Sequence, residues 1–390
     1  MRGSTTVNAM PKILVATDSF KSTATSDQAT ASIASGVRAA LADADLSALE
    51  ERVSVEAVPL ADGGESTSSI LAAAASRRGH TVERITLPTT DARGRLTQAS
   101  YFFNADEETA YIDTAAASGL PQIADSLDPL QADSYGTGVL IADAETRGAR
   151  HVVLGLGGTA TVDGGAGILA ALGASGHDGD GLVLSKGGAP LVKLAVFDTA
   201  QLNVKAAGLD YTLLADTACT PKNAALSYGP QKGANKEQVA LLTGALLTMC
   251  EKTGIDPDTE YFGAAGGIPV GLSHLSELLY GDRSHVSVIP GGSFVADAVG
   301  LADKIAAADV VITGEGAFDE QSLTGKTVGT VADLARQHGT RLGLVAGRFD
   351  IDTADTAQWT AQLPPDGALP GRFREAGRAI GREIAREIYS

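Results

Sequence analysis

Basic residues, cysteine, tryptophan and long apolar runs are all scarce in this chain, and each shortage excludes something. Thirty Lys and Arg stand against 47 Asp and Glu, giving a formal net charge of −17 and a pI near 4.7. That balance leaves no basic stripe for a phosphodiester backbone, so nucleic acid is not expected as a partner. The two cysteines, Cys219 and Cys250, lie far apart with no CxxC or Cys/His spacing. This argues against structural zinc and fits a reducing compartment. No segment has the apolar length of a membrane span, and the opening MRGSTTVNAMPK lacks a hydrophobic h-region, so the expected location is cytoplasmic. Met10 is an alternative start within that polar extension.

At 390 residues the chain exceeds what one core organises, and two domains are expected. Short β-rich runs alternate with helical patterns: strand Lys12 to Asp18, helix Ser26 to Leu41, strand Val53 to Asp62, helix Glu65 to Arg78. That is a βαβα rhythm, hence a parallel sheet. TVERITL, RLTQASYFF and TAYIDTA then follow without helices, which predicts an antiparallel ribbon and a boundary near Pro88. Helix Phe294 to Ala308, strand DVVITGE, helix Thr327 to His338 and strand RLGLVAG restore the first rhythm. The reading is therefore a discontinuous Rossmann-like domain, 1–88 plus 286–390, with an inserted α/β domain at 89–285. Ala361 to Arg372 reads as a loop before a terminal helix, Glu375 to Tyr389.

What the chain does have is glycine among polar residues. His151 to Gly173, HVVLGLGGTATVDGGAGILAALG, ends an apolar run in glycines and resumes an apolar helical pattern at Ile168. From Gly155 to Gly167 there are six glycines, two threonines and one carboxylate, Asp163. Bare amides at a helix entrance hold phosphate, and the Thr hydroxyls add donors. The plainer alternative is a turn with close helix-on-strand packing. DSFKST (Asp18 to Thr23), ADGGES (Ala61 to Ser66) and TGEGAFDEQSLTGKT (Thr313 to Thr327) each read as following a strand and preceding a helix, where open α/β sheets bind ligands. Asp18 or Ser22 as caps and Gly63, Gly64 and Gly325 as turns are the plainer readings there.

Two generic motifs nearly fit. EQSLTGKT ends like a P-loop, but Glu320 stands where the first glycine is required. Gly155, Gly157 and Ala160 match a dinucleotide fingerprint with Asp178 or Asp180 downstream, yet Thr161 to Gly165 intervene where a helix should begin at once. An NAD(P)-dependent oxidoreductase of a small hydroxy acid is thus one alternative. A non-enzymatic protein binding an acidic metabolite is another.

DSFKST, PLADGGEST, DARGR, IDTAAASGL, SYGTGVLI, LGLGGTATVDGGAG, YGPQKGA, GAAGG and TGEGAFDEQSLTGK, in this order up to about Val345, resemble the bacterial type I glycerate kinases. The resemblance implies a phosphotransferase with an alcohol acceptor: ATP and D-glycerate as substrates, the 2-hydroxyl favoured over the 3-hydroxyl, and an active site in the cleft between two α/β domains. Val162, Ala218 to Thr220 and Phe318 depart from the usual Asn, Asn-Pro-Leu and Leu, and the end beyond Gly347 differs. A monomer or homodimer is expected.

Phosphoryl transfer needs metal, amides and a cation around the phosphates, and an acceptor for the hydroxyl proton. Mg²⁺ takes one or two carboxylates plus phosphate oxygens and water, which makes Asp62, Glu65, Glu315 and Asp319 candidate ligands. Lys21 and Lys326 are candidates for phosphate or the glycerate carboxylate. Asp163 or Asp18 is the candidate base. Nucleotide contacts are expected from Gly157, Gly158, Thr159, Thr161, Gly164, Gly165, Gly314 and Gly316, and substrate contacts from Ser19, Lys21, Asp62 and Lys232. None of the six histidines is assigned a role.

Overall fold

The computed structural model describes residues 11–20, 23–42, 53–323 and 326–389. They fall into two compact units, Met1–Ala61 with Ala296–Ser390, and Asp62–Val295. In chain order the strands are β1 (Lys12–Val15), β2 (Ser54–Ala57), β3 (Val82–Thr90), β4 (Leu96–Asn104), β5 (Thr109–Asp113), β6 (His151–Gly155), β7 (Ser175–His177), β8 (Val196–Asp198), β9 (Asp210–Ala215), β10 (Val286–Pro290), β11 (Val310–Phe318), β12 (Arg341–Phe349) and β13 (Trp359–Gln362).

The first unit is built on an all-parallel sheet in the order β13-β12-β11-β1-β2. Ile13, Leu14 and Val15 are all buried, the continuous apolar run that a strand covered on both faces requires. Alternate strand residues, Ile13 and Val15 with Ile312 and Val345, share a core with Ile33, Val37, Phe373 and Ile380. Ile33 and Val37 come from helix Ser26–Leu41, which Thr25 and Gln28 start with a capping box. Phe373 and Ile380 come from the terminal helix Leu369–Tyr389. That helix begins six residues earlier than the sequence reading put it, with Pro370 in the first turn, where its missing N–H costs nothing. Trp359 and Ala361 point inward and Thr360 and Gln362 outward, so the start of the expected loop is an edge strand on β12.

The second unit carries a six-stranded sheet, β10-β9-β6-β5-β4-β3, and a small β7-β8 hairpin. β3, β4 and β5 form the antiparallel ribbon, and β5, β6, β9 and β10 are parallel. The chain leaves the first unit at Ala61/Asp62, where the sequence reading put the boundary near Pro88. The cause is Asp113 at the end of β5, which accepts from Ser66 N (3.1 Å), Ser68 N (2.8 Å) and Ser68 Oγ (2.9 Å) and so ties helix Thr67–Arg77 to this sheet. Pro88 lies inside β3. The return falls after Val295 and not at residue 286, because β10 pairs with β9. Helix Phe294 to Ala308 of the sequence reading is two helices, Gly291–Ala298 and Leu301–Ala306, separated at Gly300 with φ +66°. Among the described residues no helix is long and apolar enough to cross a membrane.

Candidate active site

In the second unit, the ADGGES loop and the glycine loop meet backbone to backbone. Gly157 N donates to Gly63 O (2.9 Å), and a Cβ on Gly157 would sit 2.6 Å from Gly64 Cα. Gly63 has φ +102°, and a side chain there would reach within 2.6 Å of Leu214 O. No other residue fits either position. Glu65, exposed, lies beside Gly158: its Oε1 is 3.3 Å from where a Gly158 Cβ would be. Asp62 is half-buried at the head of the same loop.

Asp163 sits where the loop turns into a helix, and it is fully buried. Its carboxylate accepts from Ser134 N (2.8 Å), Ser134 Oγ (2.8 Å), Gly165 N (3.1 Å) and Gly167 N (3.1 Å). The neighbouring amides are taken as well: Gly164 N by Gly266 O, Ala166 N by Asp163 O, and Ile168 N by Ser134 Oγ. The helix itself, Ala166–Ala171, is short. This corrects the expectation of an open phosphate cradle at the helix entrance, because protein acceptors already hold the amides of residues 164–168. Gly164 and Gly165, with φ +60° and +80°, serve packing against Met249 and Ile268. Asp163 is correspondingly a staple between loop and Ser134, with no accessible oxygen for a substrate proton.

The open chemistry of this loop lies upstream. Lys232, 4 % exposed, donates its Nζ to Thr161 O (2.7 Å) and reaches Thr159 Oγ1 (3.4 Å). Burial pushes its pKa down to about 8, against the pull of Asp163, Asp216 and Cys219. Thr161 Oγ1 is buried with no hydrogen-bond partner among the described residues. A buried cation beside unfilled hydroxyl capacity suits a small anionic, hydroxylated ligand. The sequence reading placed Thr159 and Thr161 with the nucleotide and Lys232 with the substrate; the fold brings Lys232, more than 70 residues on, against both threonines.

In the first unit, Thr327 Oγ1 donates to Asp18 Oδ2 (2.8 Å), and Ser19 N donates to Asp18 Oδ1. The DSF and GKT segments are therefore joined. Lys326, half-buried, is the cap residue of helix Thr327–His338. Gly314 and Gly316 lie within β11, which runs through Phe318 and pairs with β12 to Phe349, so they are not in a loop after the strand. Gly314 is walled in: a Cβ would meet Val345 O at 2.2 Å. Glu315 is half-buried on the same strand. Asp319 closes the short turn Glu320–Leu323 by accepting from Ser322 N (3.2 Å). Lys21 and Ser22 fall outside the described residues.

The four proposed metal ligands divide two and two between the units, and among the described residues no three acids, histidines or cysteines gather as a metal cluster. Sequence reasoning missed Asp113, whose carboxyl burial pushes up to about 6 against the Ser66 and Ser68 hydrogen bonds. An acid directly after the apolar run TAYI at a strand end was the available signal. Ser134 gave no such signal. Of the departures, Val162 packs in a cluster with Leu242 and Leu246, and Phe318 meets Phe349 edge to face at 6.2 Å, so both serve the cores.

The sequence pattern of the glycerate kinase family matches residues 13–364. The chain belongs to that family. It is 35 % identical over 353 residues to a glycerate kinase of Haemophilus influenzae, covering 87 % of each chain. To a glycerate 2-kinase of Escherichia coli it is 32 % identical over 353 residues, covering 87 % of this chain and 86 % of that one. A crystal structure of a glycerate kinase 2 candidate from Salmonella typhimurium LT2 matches with TM-score 0.74 and 30 % identity over 98 % of both chains. The hydride-transfer alternative finds no support in these relatives. Its fingerprint is also not formed: Ala160 N is used by Ser118 O, and the next helix waits until Ala166.

Proposed function

We propose that this chain transfers the γ-phosphoryl group of ATP to the 2-hydroxyl of D-glycerate, in a reducing cytoplasm. The observation that carries the reading is Lys232: a cation buried among threonines, in a chain of the glycerate kinase family. It pairs with the substrate carboxylate, while Thr159 and Thr161 offer hydroxyls to the sugar-acid oxygens. Asp18, oriented by Thr327, receives the hydroxyl proton as the oxygen attacks Pγ; the bond from Pγ to the β-bridging oxygen breaks, and ADP leaves. Asp163 holds the loop in shape for Thr159 and Thr161. Lys21 and Lys326, together with Gly158 and Gly316, are assigned to the phosphates.

Mg²⁺, when bound, would supply charge neutralisation to the phosphates, with Asp62, Glu65, Glu315 and Asp319 as the residues that would hold it. The donor set fits a metal held mainly by phosphate and water, since among the described residues no three acids, histidines or cysteines gather. The 2-hydroxyl is favoured by the relative that carries that name. Incubation of purified protein with D-glycerate, ATP and Mg²⁺, with ADP followed and the product identified by ³¹P and ¹³C NMR, tests the reading. The expected product is 2-phosphoglycerate, and formation should stop with EDTA. Absence of ADP overturns the kinase assignment, and 3-phosphoglycerate overturns the regiochemistry.

A further inference from the structure

The family pattern ends at residue 364, yet the helix Leu369–Tyr389 supplies the wall against which the DSF segment is seated. Phe20, an aromatic residue in an otherwise polar stretch, is 1 % exposed and meets Phe373 edge to face, with ring centroids 4.7 Å apart and planes at 75°. On its other side the ring tip lies 3.1 Å from where a Cβ on Gly314 would be. The backbone of Phe20 also closes the turn to Ala24, accepting from Thr23 N (2.7 Å) and Ala24 N (3.0 Å). The ring therefore fixes a turn whose preceding residues are Asp18 and Ser19.

Phe373 is itself held in register by a glycine seam. A Cβ on Gly36 would meet Arg374 O at 2.0 Å, and one on Gly377 would meet Ile33 O at 2.2 Å. These two helices touch at main-chain distance, so the terminal helix has little freedom to slide. At the far end Trp359 Nε1 donates to Glu387 Oε2 (2.8 Å).

We propose that Phe373 is a positioning residue for phosphoryl transfer, acting through Phe20 to set Asp18, and that the terminal helix is a working part of the active site. The link to turnover rests on the kinase reading above; the link to the turn does not. Phe373→Ala is compared with Ile384→Ala, which empties a buried position on the same helix away from Phe20. Phe373→Leu restores the apolar bulk. All are assayed at a temperature where circular dichroism shows them folded.

Phe373→Ala is expected to lower kcat about 10- to 100-fold, the scale of an approximately 1 Å displacement of a reacting group. Phe373→Leu should recover most of it, and Ile384→Ala should stay within about twofold of wild type. In hydrogen exchange, the Thr23 and Ala24 amides should open at least about tenfold faster in Phe373→Ala only. Equal effects in both alanine variants, or unchanged exchange at Thr23 and Ala24, overturn the proposal. A wild type that forms no ADP but whose Phe373→Ala variant shows the exchange effect overturns the kinase reading alone.

Discussion

The hydroxyl of Thr327 is bonded to the carboxylate of Asp18 at 2.8 Å, across 309 residues of chain. One contact thereby joins the first polar segment after β1 to the segment that imitates a P-loop ending. The Thr of GKT serves a carboxylate of its own protein. In Thr327→Val the shape is kept and the donor is lost. Loss of a hydrogen bond to a charged group costs about 1.5–3 kcal/mol, so kcat/KM should fall about 10- to 150-fold. Thr327→Ser should stay close to wild type, and a Val variant equal to wild type removes Asp18 from the machinery.

The proposed pairing of Lys232 with the glycerate carboxylate predicts an affinity that depends on pH. Its folded pKa of about 8 lies below its ordinary 10.5, so the cation is present below pH 8 and lost above it. KM for glycerate should rise about tenfold per pH unit above 8, with kcat less affected. Lys232→Met should raise KM at neutral pH and flatten the dependence. Stability has its own signature: the unfolded chain keeps a proton that the folded one has shed, so wild-type stability gains as pH climbs from about 8 toward 10.5. A pH-independent KM in the wild type contradicts the carboxylate role.

For Asp163, two readings lead to opposite results with Asp163→Asn. The staple accepts four hydrogen bonds, and an amide NH₂ would face at least one donor. An opposed buried donor costs about 1–3 kcal/mol, or several degrees of Tm for a unit of this size, with turnover of the folded protein largely kept. A base would instead show unchanged Tm and kcat lowered about 10²- to 10⁴-fold. Calorimetry with single-substrate kinetics on this variant decides.

Asp113 predicts a stability trend in acid. Its carboxyl is raised from 3.8 to about 6, so the folded chain holds a proton that the unfolded chain releases first. The stabilisation from this group is full below 3.8 and is lost as pH rises through 6. Wild type should therefore lose ground to Asp113→Asn between those values in urea titrations, and a ¹³C resonance of the Asp113 carboxyl should titrate near 6. A carboxyl titrating near 4 removes the effect.

Fold class and the β/α rhythm were legible because buried parallel strands leave uninterrupted apolar runs such as Ile13–Val15. The Lys232 site was legible only as residue types. What the sequence could not display was partnership at long range. Asp163 looks like a lone acid in a glycine loop, and only the fold brings Ser134 to it. Gly314 and Gly316 read as loop because glycine weakens strand propensity, yet pairing with β12 overrides it. The first unit boundary was misplaced for the same reason: Asp113 is 45 residues from Ser68.

The glycines packed at main-chain distance bear on how variation in this loop is to be understood. At Gly157 and Gly167 a methyl group would collide with backbone, at Gly64 Cα and at Ser134 N and Tyr135 N, within 2.6 Å. A saturation library selected for turnover would return glycine at both, and so would one selected only for soluble expression. At Gly158 the nearest obstacles are side-chain atoms of Glu65 and Ala115 at 3.2 to 3.3 Å, which can give way, although its φ of +75° still disfavours other residues. Intolerance shared by the two selections therefore marks architecture. Positions tolerated for expression and rejected for turnover mark contact with a reactant.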